Sequence, residues 1–383
     1  MNNFKFANPV KIIFGKNTIQ ELSKEIPTES KVMLIYGGGS ILKNGVYDQV
    51  AAALKNFRWI EFAGIEANPH YETCVKAIEK IRENKVDFLL AAGGGSVVDA
   101  VKFIAAGAAI HQDPWDIMTG KAAISKALPF GTVITLPATG SEMNSNFVIT
   151  KNETKEKLAA GSFHIFPKFS ILDPETTYSL SPIQTANGIV DAFVHVIEQY
   201  LTCINNAPLQ DYFAESIMKV LIEESKKVFE HPTDYEVRAN LMWASSWALN
   251  GWIAQGVLED WSTHMIGHEL TAFFGIAHAQ TLAIVLPGVM EVMKDNKKDK
   301  ILQLGNRVFG ICEGNQEVRG HNTILAVENL FNGIGIKTHL SDYGVDEKGI
   351  SLIVNRMKER NWNLGEMENI NYKIIEKILK LRL

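Results

Sequence analysis

Short apolar runs alternate with amphipathic segments over the first half of the chain. Three runs are apolar along most of their length, at residues 31–36, 59–64 and 86–92. Between the last two runs, Val75, Ile78 and Ile81 share one helical face within residues 71–85, and charged residues lie opposite. Further strands are predicted within residues 132–142, 147–150 and 169–174. Buried strands separated by amphipathic helices predict a mostly parallel sheet with helices on both faces.

The pattern changes near residue 180. Ser181 and Pro182 suit the start of a helix, with serine as the N-cap and proline in the first turn. Beyond them the spacing of apolar residues predicts helices over residues 208–230, 236–254, 297–309 and 345–359. The predicted fold class is therefore α/β and Rossmann-like over residues 1–180, followed by an all-α domain over residues 181–383.

Two uncharged stretches, residues 239–258 and 270–290, are long enough to cross a bilayer. Polar side chains interrupt both of them, including Asn250 in the first stretch and His278 in the second. Polar groups are costly in lipid, whereas a helix buried among other helices can satisfy them. We therefore expect buried helices and no membrane partner.

Composition and charge narrow the class of protein. Of the 383 residues, 46% are hydrophobic and 21% are charged, which is typical of a globular protein and excludes disorder. The formal net charge of −5 gives no positive excess for a nucleic-acid partner. Three scattered cysteines (Cys74, Cys203 and Cys312) predict free thiols, and the N-terminus lacks a long apolar signal segment, so a cytoplasmic location is expected.

Glycine-rich loops follow two of the predicted strands. Gly93 to Ser96 lead from the run at 86–92 into a helix, where glycines allow close approach and free N–H groups attract phosphate oxygens. The spacing fits neither G-x-G-x-x-G nor the P-loop, so a tight turn without a ligand is the alternative. The sequence thus favours a pyrophosphate site here.

The other loop, Gly37 to Ser40, follows the run at 31–36. NAD sites usually place an acidic side chain at such a strand end to bind the ribose 2′-hydroxyl, but here the first acidic residue is Asp48. Backbone N–H groups and a serine hydroxyl could instead accept a 2′-phosphate. The loop therefore favours NADP(H) over NAD(H), and a simple strand-to-helix turn is the alternative.

Acidic and histidine residues recur at ligand spacing in the second half. Asp191 and His195 are four residues apart, as are His264 and His268, and His278 follows after a glycine. A carboxylate with three imidazoles suits Fe²⁺ or Zn²⁺, and buried core histidines are the alternative. Spacing alone leaves open which three histidines bind. The second pair lacks the glutamate of H-E-x-x-H, so a zinc protease is unsupported.

Taken together, these motifs resemble the iron-containing (group III) alcohol dehydrogenase family. The resemblance runs end to end through NPVKIIFGK, YGGGS, NPH, GGGSVVDAVKFIA, LPATGSE, ILDP, DAFVHVIEQY, RANLMWASSWALNG and HEL…HAQTLAIVLP. It is strongest with the branch of the NADPH-dependent broad-range aldehyde reductase and the clostridial butanol dehydrogenases. This implies a dehydroquinate synthase-like architecture and metal-dependent hydride transfer between NADP(H) and aliphatic aldehydes or primary alcohols of the butanal and butanol type.

The resemblance also implies roles for individual residues. One divalent metal, Fe²⁺ or Zn²⁺, would be bound by Asp191, His195, His264 and His278, while His268 would lie beside the nicotinamide and relay protons. The dinucleotide would contact Gly37, Gly38, Gly39, Ser40, Asn68, Gly94, Gly95, Ser96, Asp99, Thr135, Thr139 and Lys157. After TGSE this chain has MNSN, where other branches have a threonine, which alters the pocket near the nicotinamide.

Several alternatives stay open. Butanol dehydrogenases with a similar YGGGS loop use NADH, and glycerol or diol dehydrogenases belong to the same superfamily. A dehydroquinate-synthase-like lyase would share the architecture, and a metal- or nucleotide-binding regulator would need no chemistry. The complete set of one aspartate and three histidines favours an alcohol dehydrogenase. A homodimer is also expected, in which the segment KIIFG (residues 11–15) could add a strand across a two-fold axis.

Overall fold

The computed structural model describes residues 1–203 and 206–383, which form two compact units. The sheet unit contains residues 7–181 and 231–246, and the helical unit contains residues 1–6, 182–230 and 247–383. The sequence predicted a dinucleotide-binding domain over residues 1–180 and a metal-binding domain over residues 181–383. That assignment of ligands to domains stays a prediction.

The sheet unit is built on a parallel sheet in the order β1-β8-β5-β4-β2-β3. Its strands are β1 (Lys11–Phe14), β2 (Lys31–Tyr36), β3 (Arg58–Phe62), β4 (Phe88–Gly94), β5 (Phe130–Leu136) and β8 (Phe169–Leu172). An antiparallel hairpin is formed by β6 (Asn146–Lys151) and β7 (Glu156–Gly161). The segment KIIFG forms β1, which pairs with β8 of its own chain and is an edge strand of the sheet. Its pairing across a two-fold axis stays a prediction.

Helices of this unit cover both faces of the sheet. They are α1 (Leu22–Glu25), α2 (Val46–Ala53), α3 (Tyr71–Asn84), α4 (Gly95–Ala108), α5 (Trp115–Met118) and most of α8 (Tyr235–Ala248). Met33 and Leu89 point into a core shared with α3 and α4. Val32 and Leu90, their neighbours along the strands, point into a core shared with α1 and α2. This alternation explains why the central strands are apolar along their whole length.

The helical unit contains the remaining helices. They are α6 (Pro182–Tyr200), α7 (Pro208–Val228), α9 (Ser262–Phe274), α10 (His278–Val292), α11 (Lys298–Arg307), α12 (Gln316–Gly333), α13 (Glu347–Glu359) and α14 (Tyr372–Lys380). Helix α6 begins at the predicted Pro182, whereas α8 ends six residues before the predicted end, at Ala248. Gly251, in the turn beyond, has a positive φ of 85°, which a continuing helix does not allow.

An arginine near the end of the chain supports α10. This helix contains Pro287, which has no N–H to donate to the helix. Nε of Arg382 donates to the carbonyl of Ile284 at 3.1 Å, and its Nη2 donates to the carbonyl of Thr338 at 2.8 Å and also contacts Glu328. The guanidinium therefore joins the middle of α10 to Glu328 and Thr338 elsewhere in the helical unit.

The predicted fold class is confirmed, because a parallel α/β sheet precedes a helical C-terminal region. Within the described parts of the chain, no helix combines the length and the apolar character needed to span a membrane. The strand β7 was not predicted from the sequence.

Candidate active site

The two glycine loops begin at neighbouring strand ends. Tyr36 in β2 pairs with Ala92 in β4, so Gly37 and Gly93 start at the same edge of the sheet, where Thr135 also lies near the end of β5. The chain passes from β2 through α2 to β3 on one side, and from β4 through α4 to β5 on the other. Such a reversal opens a crevice at the carboxyl ends of the strands, where open α/β sheets bind ligands.

The loop from Gly93 to Ser96 is packed against the segment that follows β5. A Cβ atom on Gly95, the first residue of α4, would lie less than 3.0 Å from the Thr139 side chain. The hydroxyl of Ser96 donates to the carbonyl of Ala67. Glycine at position 95 therefore lets Thr139 reach the start of α4, where N–H groups can bind an anion.

The loop from Gly37 to Ser40 leaves room at one position. The carbonyl of Gly37 accepts the N–H of Gly64 at 3.1 Å, and a Cβ atom on Gly37 would lie 3.2 Å from the carbonyl oxygen of Ile65. Gly39 has a φ of +94°, which favours glycine, whereas a Cβ atom on Gly38 would meet nothing within 4 Å. Gly38 is therefore the position at which a side chain fits.

Two other predicted cofactor residues are in direct contact. Nζ of Lys157, a residue with 6% exposure, donates to Oδ1 of Asn68 at 3.0 Å. Asp99 instead makes contacts within the protein: the Ser141 hydroxyl donates to Oδ1 at 2.6 Å and the Val148 N–H to Oδ2 at 3.0 Å. Burial raises the pKa of Asp99. These contacts connect α4 to the segment beyond β5, and the contact of Asp99 with the cofactor stays a prediction.

In the helical unit, the predicted metal ligands lie close together. One ligand atom each from Asp191, His195 and His264 lie within 4.8 Å of one another, and all three residues are buried. Nε2 of His278 lies 3.6 Å from Oδ1 of Asp191, and Nε2 of His195 lies 3.9 Å from the same oxygen. A carboxylate oxygen and imidazole nitrogens from three helices thus meet, and this donor set suits Fe²⁺ or Zn²⁺.

The helix geometry explains how these residues meet. The i, i+4 spacing puts Asp191 and His195 on one face of α6, and the ring of His195 stacks on that of His264 with centroids 4.7 Å apart. Gly275 ends α9 with a φ of +69°, so His278 begins a separate helix. The ring of His268 lies beside the cluster, with its centroid 5.4 Å from that of His278.

Glu198 is a site residue that was not predicted from the sequence. Its Oε2 contacts Nδ1 of His264, while its Oε1 accepts the N–H of Thr263 at 2.6 Å. Burial, followed by the charge of Asp260, raises the pKa of Glu198 well above its ordinary value. A carboxylate on one ring nitrogen orients an imidazole and leaves the other nitrogen to bind a metal. The signal in the sequence was its position three residues after His195, on the same face of α6.

A buried ion cluster lies at the start of α9. Nζ of Lys297 donates to Oδ2 of Asp260 at 2.8 Å, to Oε2 of Glu366 at 2.8 Å and to the carbonyl of Leu201 at 2.7 Å. Oδ1 of Asp260 accepts the N–H of Ser262, the first residue of α9, at 2.8 Å. Burial and the hydrogen bond with Asp260 raise the pKa of Glu366 to about 7, although Lys297 lowers it.

Comparison with known proteins places the chain in a family. Residues 9–174 match the family described as iron-containing alcohol dehydrogenase, and residues 185–383 match the C-terminal part of the same family. The chain belongs to the iron-containing alcohol dehydrogenases. The predicted family and the predicted class, an oxidoreductase of the alcohol dehydrogenase type, are therefore confirmed.

Relatives of this iron-containing alcohol dehydrogenase differ in the cofactor given in their names. The chain is 50% identical to the NADPH-dependent aldehyde reductase YqhD of Escherichia coli (strain K12), with 99% of each chain covered. It is 40% identical to the probable NADH-dependent butanol dehydrogenase 1 of Bacillus subtilis (strain 168), with 100% of each chain covered. A solved NADH-dependent butanol dehydrogenase A from Thermotoga maritima is similar over 100% of this chain and 99% of its own, at 39% identity and a TM-score of 0.96.

Proposed function

We propose that this chain is a metal-dependent aldehyde reductase. It transfers hydride from NADPH to aliphatic aldehydes and, in the reverse direction, from primary alcohols to NADP+. The observation that carries the proposal is that the buried residues Asp191, His195 and His264 bring their ligand atoms together, with Nε2 of the partly exposed His278 3.6 Å from Oδ1 of Asp191. The 50% identity to an NADPH-dependent aldehyde reductase supports the substrate class, with butanal and butanol as representative substrates.

In this proposal, residues 181–383 hold one divalent metal, Fe²⁺ or Zn²⁺, through Asp191, His195, His264 and His278. When bound, the metal supplies a Lewis acid for the substrate oxygen and the nicotinamide supplies the hydride. Glu198 orients the ring of His264 by its contact with Nδ1. His268 holds or releases a proton at a ring nitrogen beside the cluster, which imidazole can do near neutral pH.

Residues 1–180 form the proposed dinucleotide-binding domain. The N–H groups at the start of α4, at Gly94 to Ser96, would bind the pyrophosphate. Gly37 to Ser40 would bind the 2′-phosphate of NADP(H). Glu61 lies in the neighbouring strand β3. Its carboxylate accepts hydrogen bonds from the hydroxyls of Tyr36 at 2.8 Å and Tyr47 at 2.6 Å. In the proposal these oxygens therefore do not bind the ribose 2′-hydroxyl.

The experiment is to follow the oxidation of NADPH by absorbance with butanal as substrate, alongside metal analysis of the same sample. The proposal expects turnover with NADPH that falls when a chelator removes the metal. Turnover of glycerol in place of butanal would favour a glycerol or diol dehydrogenase, and a stronger reaction with NADH would favour a butanol dehydrogenase that uses NADH. No reaction with any of these would contradict the proposal.

We further propose a homodimer in the cytoplasm. The edge strand β1 offers a row of backbone groups that a second copy could use, and oligomers of two-fold symmetry are the commonest. The cysteines Cys74, Cys203 and Cys312 are free thiols, which a reducing compartment maintains. Sedimentation at only one 42.6 kDa chain would contradict the dimer.

A further inference from the structure

A buried lysine holds the segment that follows β5. Lys102 lies in α4 with 0% exposure. Its Nζ donates to Oγ of Ser141 at 2.8 Å, to Oδ1 of Asn144 at 2.8 Å and to the carbonyl of Asn146 at 2.7 Å. Because an ammonium has three donors, all of them are used within residues 141–146.

The same segment is bound to α4 at a second point. The Ser141 hydroxyl donates to Oδ1 of Asp99 at 2.6 Å, near the start of that helix. The N–H of Ser141 donates to Oγ1 of Thr139 at 3.1 Å, and the Asn144 amide donates to the carbonyl of Gly140 at 2.9 Å. The position of Thr139 is therefore fixed through the residues that Lys102 holds.

The charge of Lys102 is costly in this place. Burial lowers the pKa of Lys102 to about 7, whereas the carboxylates of Asp99 and Glu142 raise it. Glu142 is itself buried, and it accepts the hydroxyl of Ser246. Well-packed apolar residues of similar size are often as stable as buried charges, so fold stability alone does not account for a lysine here. What the lysine supplies is three directed hydrogen bonds to one short segment.

We propose that Lys102 is a positioning residue for the dinucleotide, which holds Thr139 against the first turn of α4 before the cofactor arrives. The inference rests on the proposed function, because it takes the loops at Gly94 to Ser96 and after β5 as the dinucleotide site. Without Lys102, residues 139–146 would have to be ordered when the cofactor binds. That ordering weakens binding, so it raises the dissociation constant of the cofactor rather than lowering the rate of hydride transfer.

The test compares Lys102→Met with Lys300→Met. Lys300 is a matched control because it is also buried, with 5% exposure, and donates to Asp211 at 2.5 Å in the helical unit. The dissociation constant of NADPH is measured by its fluorescence, well below the melting temperature, and KM and kcat are measured with butanal. Lys102→Met should raise the dissociation constant and KM of NADPH by about tenfold, with kcat at saturating NADPH changed by less than about threefold.

Lys300→Met should lower the melting temperature and leave the dissociation constant of NADPH unchanged. An unchanged dissociation constant in Lys102→Met, with a melting temperature lowered as in Lys300→Met, would show that Lys102 serves only stability and would overturn the inference. If Lys102→Met does not fold, the same measurements are made on Ser141→Ala. This variant removes the hydroxyl that accepts from Lys102 and donates to Asp99. If the wild type binds neither NADPH nor NADH, the proposed function is overturned, and this inference with it.

Discussion

Oε2 of Glu198 contacts Nδ1 of His264 and also accepts the backbone N–H of His264 at 3.2 Å. One carboxylate in α6 therefore fixes both the ring and the backbone of a proposed ligand in α9. Glu198→Gln keeps the size of this side chain and replaces its carboxyl group by an amide that cannot ionise. We expect metal affinity to fall by about 10- to 100-fold, the usual effect of losing such a partner.

Metal affinity is measured by competition with a chromogenic chelator, which does not depend on activity. Glu224→Gln is the matched control, because Glu224 is also buried and pairs with Lys227 in α7, and it should keep its metal. Equal affinity in Glu198→Gln and the wild type would show that His264 is oriented by its helix alone.

The next prediction separates ligands from the proposed relay. His264→Ala and His278→Ala should lose the metal and nearly all activity while keeping the helical fold, because each removes an imidazole from the cluster. His268→Ala should retain the metal but show slower turnover with an altered pH dependence. Metal analysis measures the bound metal of each variant, and circular dichroism measures its helical fold. A His268→Ala protein as poor in metal as His264→Ala would mean that a ligand and a relay have been exchanged.

The prediction on cofactor choice depends on the loop after β2. We expect the wild type to prefer NADPH over NADH by at least about tenfold in kcat/KM, which corresponds to about 1.4 kcal/mol. A carboxylate in the loop would repel the 2′-phosphate and accept the ribose hydroxyls. Gly37→Asp would carry this charge, but its Cβ would crowd the carbonyl of Ile65, whereas Gly38→Asp has open space.

Gly38→Asp should therefore shift the preference toward NADH, as measured by kcat/KM for both cofactors. Gly38→Asn is the control, since it adds the same shape without the charge and should shift the preference less. If the wild type already prefers NADH, or if both variants leave the ratio unchanged, the loop does not select the cofactor.

The cluster around Glu366 predicts a pH dependence of stability. Its pKa is raised from 4.5 to about 7 by burial and by Asp260, so between these values the folded state binds a proton that the unfolded state lacks. The free energy of unfolding should therefore fall as pH rises through this window, by up to about 1.4 kcal/mol per pH unit. Glu366→Gln removes this contribution, and urea unfolding between about pH 5 and pH 7 measures it. A slope as steep in Glu366→Gln as in the exposed control Glu359→Gln would contradict the assignment.

Arg382 gives a prediction on stability alone. Arg382→Met removes the donors to Ile284 and Thr338 and leaves Glu328 without its guanidinium. The free energy of unfolding should fall by about 3 kcal/mol, the cost of breaking a buried ion pair from one side. Urea unfolding measures the change. Lys380→Met, which removes an exposed ion pair with Glu376, should cost less than about 1 kcal/mol. Similar losses in the two variants would show that Arg382 contributes no more than a surface pair.

The strands that could be predicted are those covered on both faces. The run at 31–36 matches β2, because a buried parallel strand is apolar along its length. By contrast, β7 has the sequence EKLAAG, with charged residues and a glycine, and it forms because it pairs with β6. The amino-acid composition of β7 by itself gives little preference for a strand.

Spacing within a helix predicted which residues of the site share a face. The sequence did not predict which helices pack against one another. The i, i+4 relation places Asp191 next to His195, but only the packing of α6, α9 and α10 brings them near His264 and His278. Glu198 was overlooked because a single carboxylate in a helix most often lies on a solvated face. Its contact with His264 joins residues 66 positions apart.

The assignment of residues to the two compact units has a consequence for how such enzymes can diversify. Every proposed metal ligand belongs to the helical unit, and every proposed dinucleotide contact belongs to the sheet unit. Mutations that retune the nucleotide preference therefore fall in a different compact unit from the ligand cluster. Selection can vary the electron carrier while the chemistry at the substrate oxygen is inherited intact, and an engineer can alter the two traits in separate libraries.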